Sequence, residues 1–206
     1  MAYRSFDKLL HHLNGVGANL ISRGVGNLRS YTSRRTFFEY RSIYLPINLG
    51  TRVSNFLSLP EWINPPWKDE EPHSRTALQT VLDISFRVPP LMEGFERIRG
   101  FPTTGFPLIG DANIRFIDGI LQHALEIQAD LERWDQRLRK ERDDLPDIYI
   151  PRKARAFATS DMNDLHDVFP DSYSFPNWDI ASGLIYREMI QIYLNTFLLE
   201  IMAYIL

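Results

Sequence analysis

Three carboxylates close together, Asp143, Asp144 and Asp147 in "RDDLPD", are the residues of this 206-residue chain best suited to hold a hard divalent cation. They match the DDxxD pattern by which helical enzymes grip magnesium against a diphosphate, since clustered oxygen ligands can bridge metal and phosphate. A second acidic stretch, "NDLHDVFPD", has Asn163 and Asp164 where a second metal motif would start. The match stops there. Asp167 and Asp171 stand where a hydroxyl and a glutamate are needed, and Pro146 and Pro170 interrupt segments that must be helical. The two motifs also lie too close in the chain to face each other across a cavity. A solvated acidic loop is the reading adopted, with a diphosphate- and magnesium-dependent helical enzyme as the alternative, beside a bare helical scaffold.

The other chemistry-bearing patterns fall away on spacing. "LLHHLNGVGANLISRGVGNL" holds Gly15-Val16-Gly17 and Gly24-Val25-Gly26. A phosphate loop needs glycines in GxGxxG register between a strand and a helix. Here Leu20 and Arg29 take the place of the third glycine, and Phe6, Leu9, Leu10, Leu13, Val16, Leu20 and Ile21 recur at helical steps. Gly17 therefore lies inside a helix, where it costs about 1 kcal/mol relative to alanine; close approach of a neighbouring helix is the expected compensation. Gly24 reads as the helix stop. His11, His12, His73, His123 and His166 form no HExxH or Glu-x-x-His set, and His123 with Glu126 is a lone i, i+3 pair. No GxSxG is present. With no cysteine, disulfides, thiolate nucleophiles and cysteine-ligated metals are excluded within the chain. No catalytic, cofactor-binding or metal-binding residue is assigned: the chain reads as a non-enzyme without a cofactor.

The elements that would carry these residues are helical. The first helix spans about 2 to 22. Up to Arg35, five arginines and one lysine oppose only Asp7, which is read as the wet face of a packed helix rather than a targeting leader. Tyr31, Phe37, Phe38 and Tyr40 interleave with arginines and could stack on bases. The net charge of −3 speaks against nucleic acid, and Phe37, Phe38 and Tyr44 read as the buried stripe of a second helix with its arginines in water. Pro46 should end or kink that helix. An irregular stretch to 73 holds "FLSLPEWINPPW", where Trp62 and Trp67 offer large faces to bury.

A third helix is expected from an N-cap at Ser74 through Leu78, Val81, Leu82, Ser85 and Val88, kinked at Pro89-Pro90 and continuing to Leu91, Met92 and Phe95. Asp111 should cap a long helix to 141, with Ile114, Ile117, Leu121, Leu125, Leu131 and Leu138 inside and an Asp135–Arg139 pair outside. Residues 142 to 175 read as loop, and Pro176 opens a last helix that reaches the end. Its Leu184, Ile185, Met189, Ile190, Ile192, Leu194, Phe197, Leu198, Ile201, Met202 and Leu206 cover more than one face. Glu200 in its middle argues against a membrane span, so a helix buried on most sides is expected. Its uncapped ending reads as truncation, which predicts self-association with Leu198 and Ile201 toward the missing neighbours.

In order, "LLHHLNGVGANLISRGV", "TFFEYRSIYLPINLGTRVSNFLSLPEW", "LQTVLDISFRVPPLMEGFERI", "LQHALEIQADLERWDQRL" and "SYSFPNWDIASGLIYREMIQIYL" resemble the fungal-specific transcription factor domain. That is the helical region C-terminal to a binuclear zinc-cluster DNA-binding module. Gly15, Arg23, Gly24, Phe37, Phe38, Phe56, Leu57, Pro60, Glu61, Trp62, Pro89 and Trp134 stand where the family's structural features fall. The resemblance implies a single all-α regulatory domain over 1–206, built of about five main helices around a hydrophobic C-terminal one. It also implies transcription regulation in a fungus, in the nucleus (with the cytoplasm as alternative), through protein partners or a small-molecule effector. The family module needs six cysteines, so no direct DNA contact through it is expected; the chain reads as part of a longer regulator or a relative without that module.

Burial of Trp62 has a measurable consequence for stability. Trp62→Ala should lower stability by about 3 to 5 kcal/mol, as for a buried aromatic truncation, read by urea unfolding; a loss under about 1 kcal/mol would place the ring at the surface.

Overall fold

The computed structural model describes residues 2–65, 76–100, 111–140, 150–153, 171–175 and 177–206. The fold is all-α: α1 (Ala2–Arg23), α2 (Tyr31–Thr51), the short α3 (Pro60–Ile63), α4 (Ala77–Ser85), α5 (Val88–Arg99), α6 (Asp111–Lys140) and α7 (Trp178–Ile205). Among the described residues a short strand pair accompanies them. β1 (Ile150–Lys153) and β2 (Asp171–Ser174) lie antiparallel, with Ile150 opposite Ser174, inside the stretch expected to be loop. Asp143, Asp144, Asp147, Asn163, Asp164 and Asp167 fall outside the described residues, as do Trp67, His73, Ser74 and His166.

Both glycine expectations hold. Gly24 turns at a φ of 72°, where L residues are strained, and its N–H donates to the Leu20 and Ile21 carbonyls, closing α1. A Cβ on Gly17 would stand 2.4 Å from the Tyr40 hydroxyl, so α2 crosses α1 where no side chain intervenes. Leu13 and Leu20 are buried beneath that crossing, whereas Leu9 and Ile21, expected in the apolar stripe, are exposed. The ring of Trp62 is buried against Phe56, edge-on at 4.7 Å between centroids, and against Phe37 at 5.8 Å.

Four features differ from expectation. α2 runs through Pro46 to Thr51. α4 and α5 are separate helices, divided at Phe86–Arg87, and Pro89 and Pro90 sit in the first turn of α5, where a missing N–H is tolerated. The cap of α4 is Thr76, whose hydroxyl accepts from the Gln79 N–H. On α6, Ile114 and Leu125 are exposed and the buried stripe is Ile117, Ile120, Ala124, Ile127, Leu131, Trp134 and Leu138; the Asp135–Arg139 pair forms as expected at 2.8 Å.

α4 organises the core. α7 packs along it, with α6 beside both and α5 against α6 and α7. Gly183 makes this close approach possible, because a Cβ there would meet Trp134 at 3.2 Å and the α4 backbone at 3.4 Å; the Trp134 indole N–H donates to the Ala77 carbonyl. Phe95 of α5 meets Phe197 and Tyr204 of α7 edge-on. Ile201 is buried and Leu198 half-buried, so the outward face of α7 is not the one expected. Among the described residues no helix is long and apolar enough to cross a membrane.

At the end of α2 the chain needs a left-handed residue, and it is Arg52, at a φ of 56°. That conformation disfavours a side chain by about 1–2 kcal/mol, but it delivers the guanidinium to Glu96 of α5 at 2.6 Å and to both carboxylate oxygens of Glu200 on α7. Next to it, the Ser54 N–H and hydroxyl donate to Glu93, which also holds Arg97. Those donors, Ser54 first, hold the Glu93 carboxyl down at about 2, and Arg52 lowers Glu200. Carboxyls depressed in the folded chain contribute stability above their unfolded value, lost as pH falls toward the folded one. Glu93→Gln should therefore cost about 1 to 2 kcal/mol at neutral pH and flatten the loss of stability between pH 4.5 and about 2, measured by urea unfolding across that range.

Candidate functional site

Among the described residues, the glycines and histidines with candidate chemistry do not converge. Gly15 lies on the exposed side of α1 with His11 and His12. His123 shares its hydrogen bond with the Gly119 carbonyl at 2.7 Å, while Glu126 faces Arg87, just before α5, at 3.9 Å. Among the described residues no group of three or more His, Asp or Glu is arranged to hold a metal ion.

Arg41 overturns the expectation that the arginines of α2 face water. It is buried, with its guanidinium 2.6 Å from Asp83, within reach of Gln79 on α4, and 5.3 Å from the ring centres of both Phe37 and Phe86. Charge pairing and two ring faces together make such burial tolerable. Arg41 joins α2 to α4, the two helices that form one wall of a cleft.

That cleft, about 580 Å³, opens between the N-terminal halves of α2, α4 and α7. Tyr31, Phe38, Trp178 and Tyr186 supply four rings, and Arg34, Arg35, Glu39 and Asp179 supply charge. Local structure explains how each is placed. Ser30 caps α2 by accepting from the Ser33 N–H, which sets Tyr31, Arg34, Arg35 and Phe38 on successive turns; Asn177 caps α7 by accepting from Ile180, which places Trp178 and Asp179 at the mouth. Arg34 is steadied by the Leu28 carbonyl at 3.3 Å and Arg35 lies 3.6 Å from Glu39. Asp179 in turn accepts from the Leu78 N–H at the start of α4. Tyr31 and Trp178 stand largely in solvent, so their rings offer apolar surface the fold does not use.

The floor of the cleft is a repair of α2. Pro46 has no N–H for the Ser42 carbonyl four residues back, and the Tyr186 hydroxyl donates to that carbonyl at 2.5 Å. Burial pushes the Tyr186 phenol up, so it remains a donor through the neutral range. A second cleft of about 800 Å³ lies between α3, α4, α5 and α6. Of its charges, Arg87 holds Asp130 at 2.5 Å and Asp83 holds Arg41, while the Arg137 Nε–H donates to the Arg133 carbonyl at 3.4 Å. Among the described residues that line it there is no Phe, Tyr or Trp. The first cleft is the better candidate for a small molecule, since apolar rings with a few placed polar groups are what such sites share.

Phe38 has the sequence pattern of a core residue, and nothing local in the sequence marks Trp178 and Tyr186 as members of one site. Trp178 is separated from Tyr31 by most of the chain, and only the packing of α7 on α4 unites them. Tyr186→Phe should cost about 1 to 3 kcal/mol by stranding the Ser42 carbonyl. The same substitution in a Pro46→Ala background should cost under about 0.5 kcal/mol, the ordinary additivity error, because an alanine at that position restores the helical N–H donor. Equal losses in both backgrounds, measured by denaturant unfolding, would show that this hydrogen bond does not compensate for the proline. No family model, no curated protein and no solved structure matches the chain.

Proposed function

We infer that this chain is a non-catalytic helical regulatory domain acting in transcription regulation, of the kind its ordered motifs resemble, in a fungal nucleus. Its cleft between α2, α4 and α7 receives a small effector with a flat apolar body, and its surface engages protein partners; DNA contact is left to other modules. The observation that carries the reading is the aromatic cleft, whose volume of about 580 Å³ lies in the range of small-molecule sites, roughly 300–1,000 Å³. The all-α scaffold expected from the resemblance supports it, as does the use of Arg41, Arg52, Glu93 and Asp130 in structural contacts.

The test tethers the full chain to a heterologous DNA-binding domain upstream of a reporter. The wild-type chain should change reporter output, and Tyr31→Ala with Arg35→Ala should abolish the change while leaving stability within about 0.5 kcal/mol, as for surface positions. Both side chains are exposed, so folding is not at issue. A wild-type chain without effect on the reporter overturns the reading. Magnesium- and diphosphate-dependent stabilisation that disappears in Asp144→Ala would replace it with the enzyme.

A further inference from the structure

α7 is apolar on nearly every side, but only part of it is covered. Its outward line consists of Trp178, Ile185, Ile192 and Leu199, exposed at 80, 58, 66 and 66 %, and Leu206 continues it. The spacing is seven residues at each step. A straight helix drifts about 20° per heptad, and a second helix wound against it at 3.5 residues per turn follows such a line without drift. Isolated exposed apolar residues are ordinary; four in one heptad register along one helix are a seam.

The chemistry around the seam selects its partner. Among the described residues, Asn195, Thr196 and Ala203 flank it, and Glu188, paired with Arg187, is the charged residue at its exposed edge. Among the described residues no ring of basic or acidic groups on this face invites an oppositely charged partner. The line is instead symmetric about Ile192: Ile185 and Leu199 lie seven residues to either side, Trp178 and Leu206 fourteen. A two-fold axis through Ile192 lays the seam on its own copy with the helices antiparallel, the self-complementary contact that a homodimer requires. In that arrangement Glu188 meets Thr196 of the copy. A parallel pair would set Glu188 against Glu188, and like charges at such positions destabilise. The antiparallel pair also opposes the two helix dipoles. Over the 28 residues of α7 the seam runs about 40 Å. Covering it removes several hundred Å² per copy, the scale of a standard interface of about 800 Å² per partner.

We propose that the outer face of α7 is a homodimer interface in which two copies pack their Ile185–Ile192–Leu199 seams antiparallel about Ile192. The groove of Phe175, Leu184, Ile185, Met189 and Tyr193 beside it receives the partner's seam residues.

Sedimentation equilibrium of the full 206-residue chain should show a dimer at micromolar concentration. Ile192→Glu should weaken it at least about 30-fold, the scale of a central hot spot, and mixing Ile192→Glu with Ile192→Lys should restore a heterodimer. Orientation is read separately. Ile185→Glu should be monomeric, and Ile185→Glu with Leu199→Lys in one chain should dimerise again, which only the antiparallel arrangement allows. Because the chain has no cysteine, Ile192→Cys should form an intermolecular disulfide under oxidation while Leu199→Cys should not. Circular dichroism checks that each variant folds, as expected at exposed positions. A wild-type monomer, a dimer indifferent to Ile192→Glu, or a seam protected from hydrogen exchange within a monomer overturns the proposal, the last by showing that another part of the chain covers it.

Discussion

A guanidinium almost without access to water, held between two phenyl rings and a carboxylate, is the joint from which the rest of the molecule is built. Arg41 fixes α2 against α4 through Asp83, and the rings of Phe37 and Phe86 close over it. Breaking such a pair from one side leaves a buried charge uncompensated, which is far worse than replacing both partners by apolar groups. The pair therefore acts as a register mark, since only one setting of α2 on α4 satisfies it. Everything on the far side of α4 inherits that setting. Ala77 receives the Trp134 indole and Gly183 admits the α4 backbone, so α6 and α7 are located by the same short helix.

A second joint lies at the other end of the bundle. Arg52 accepts a strained backbone and in return ties the end of α2 to α5 and α7 through two carboxylates. The two joints differ in kind. Arg41 is dry and structural at any ionic strength, while the Arg52 cluster is half-exposed and open to screening and protonation. The cleft lies toward the first joint, where packing is tight and the backbone is held by caps at Ser30, Thr76 and Asn177. A site placed on rigid helix ends needs little ordering when it binds.

Much of this is legible in the residues because it rests on local rules. Gly17 and Gly24 announce a close crossing and a stop, and Trp62 announces burial, because each is a residue type with a narrow physical use. The all-α class follows from periodicity. What is not legible depends on partners distant in the chain. Arg41 sits in a basic run that looks solvated, and its partner on α4 is 42 residues away. Pro46 looks like a helix terminus because the hydroxyl that makes it harmless belongs to a residue 144 positions beyond Ser42. The outward face of α7 is hidden for a different reason: when every side is apolar, periodicity has no contrast, and Leu198 and Ile201 can be mistaken for the exposed ones. Likewise the aromatic cleft joins residues from both ends of the chain, which no window of sequence contains.

The hydrogen bond between Tyr186 and Ser42 also sets a rotation. Successive residues on a helix point about 100° apart, and Tyr186 must point at one carbonyl of α2, the one that Pro46 has left without a donor. Its neighbour Ile185 is thereby turned away from the core, and the residues at seven-residue steps from Ile185 turn with it. A missing N–H on one helix thus acts as an angular reference for another. The proline that looked like a place where α2 must fail determines which apolar side of α7 the molecule shows to the outside.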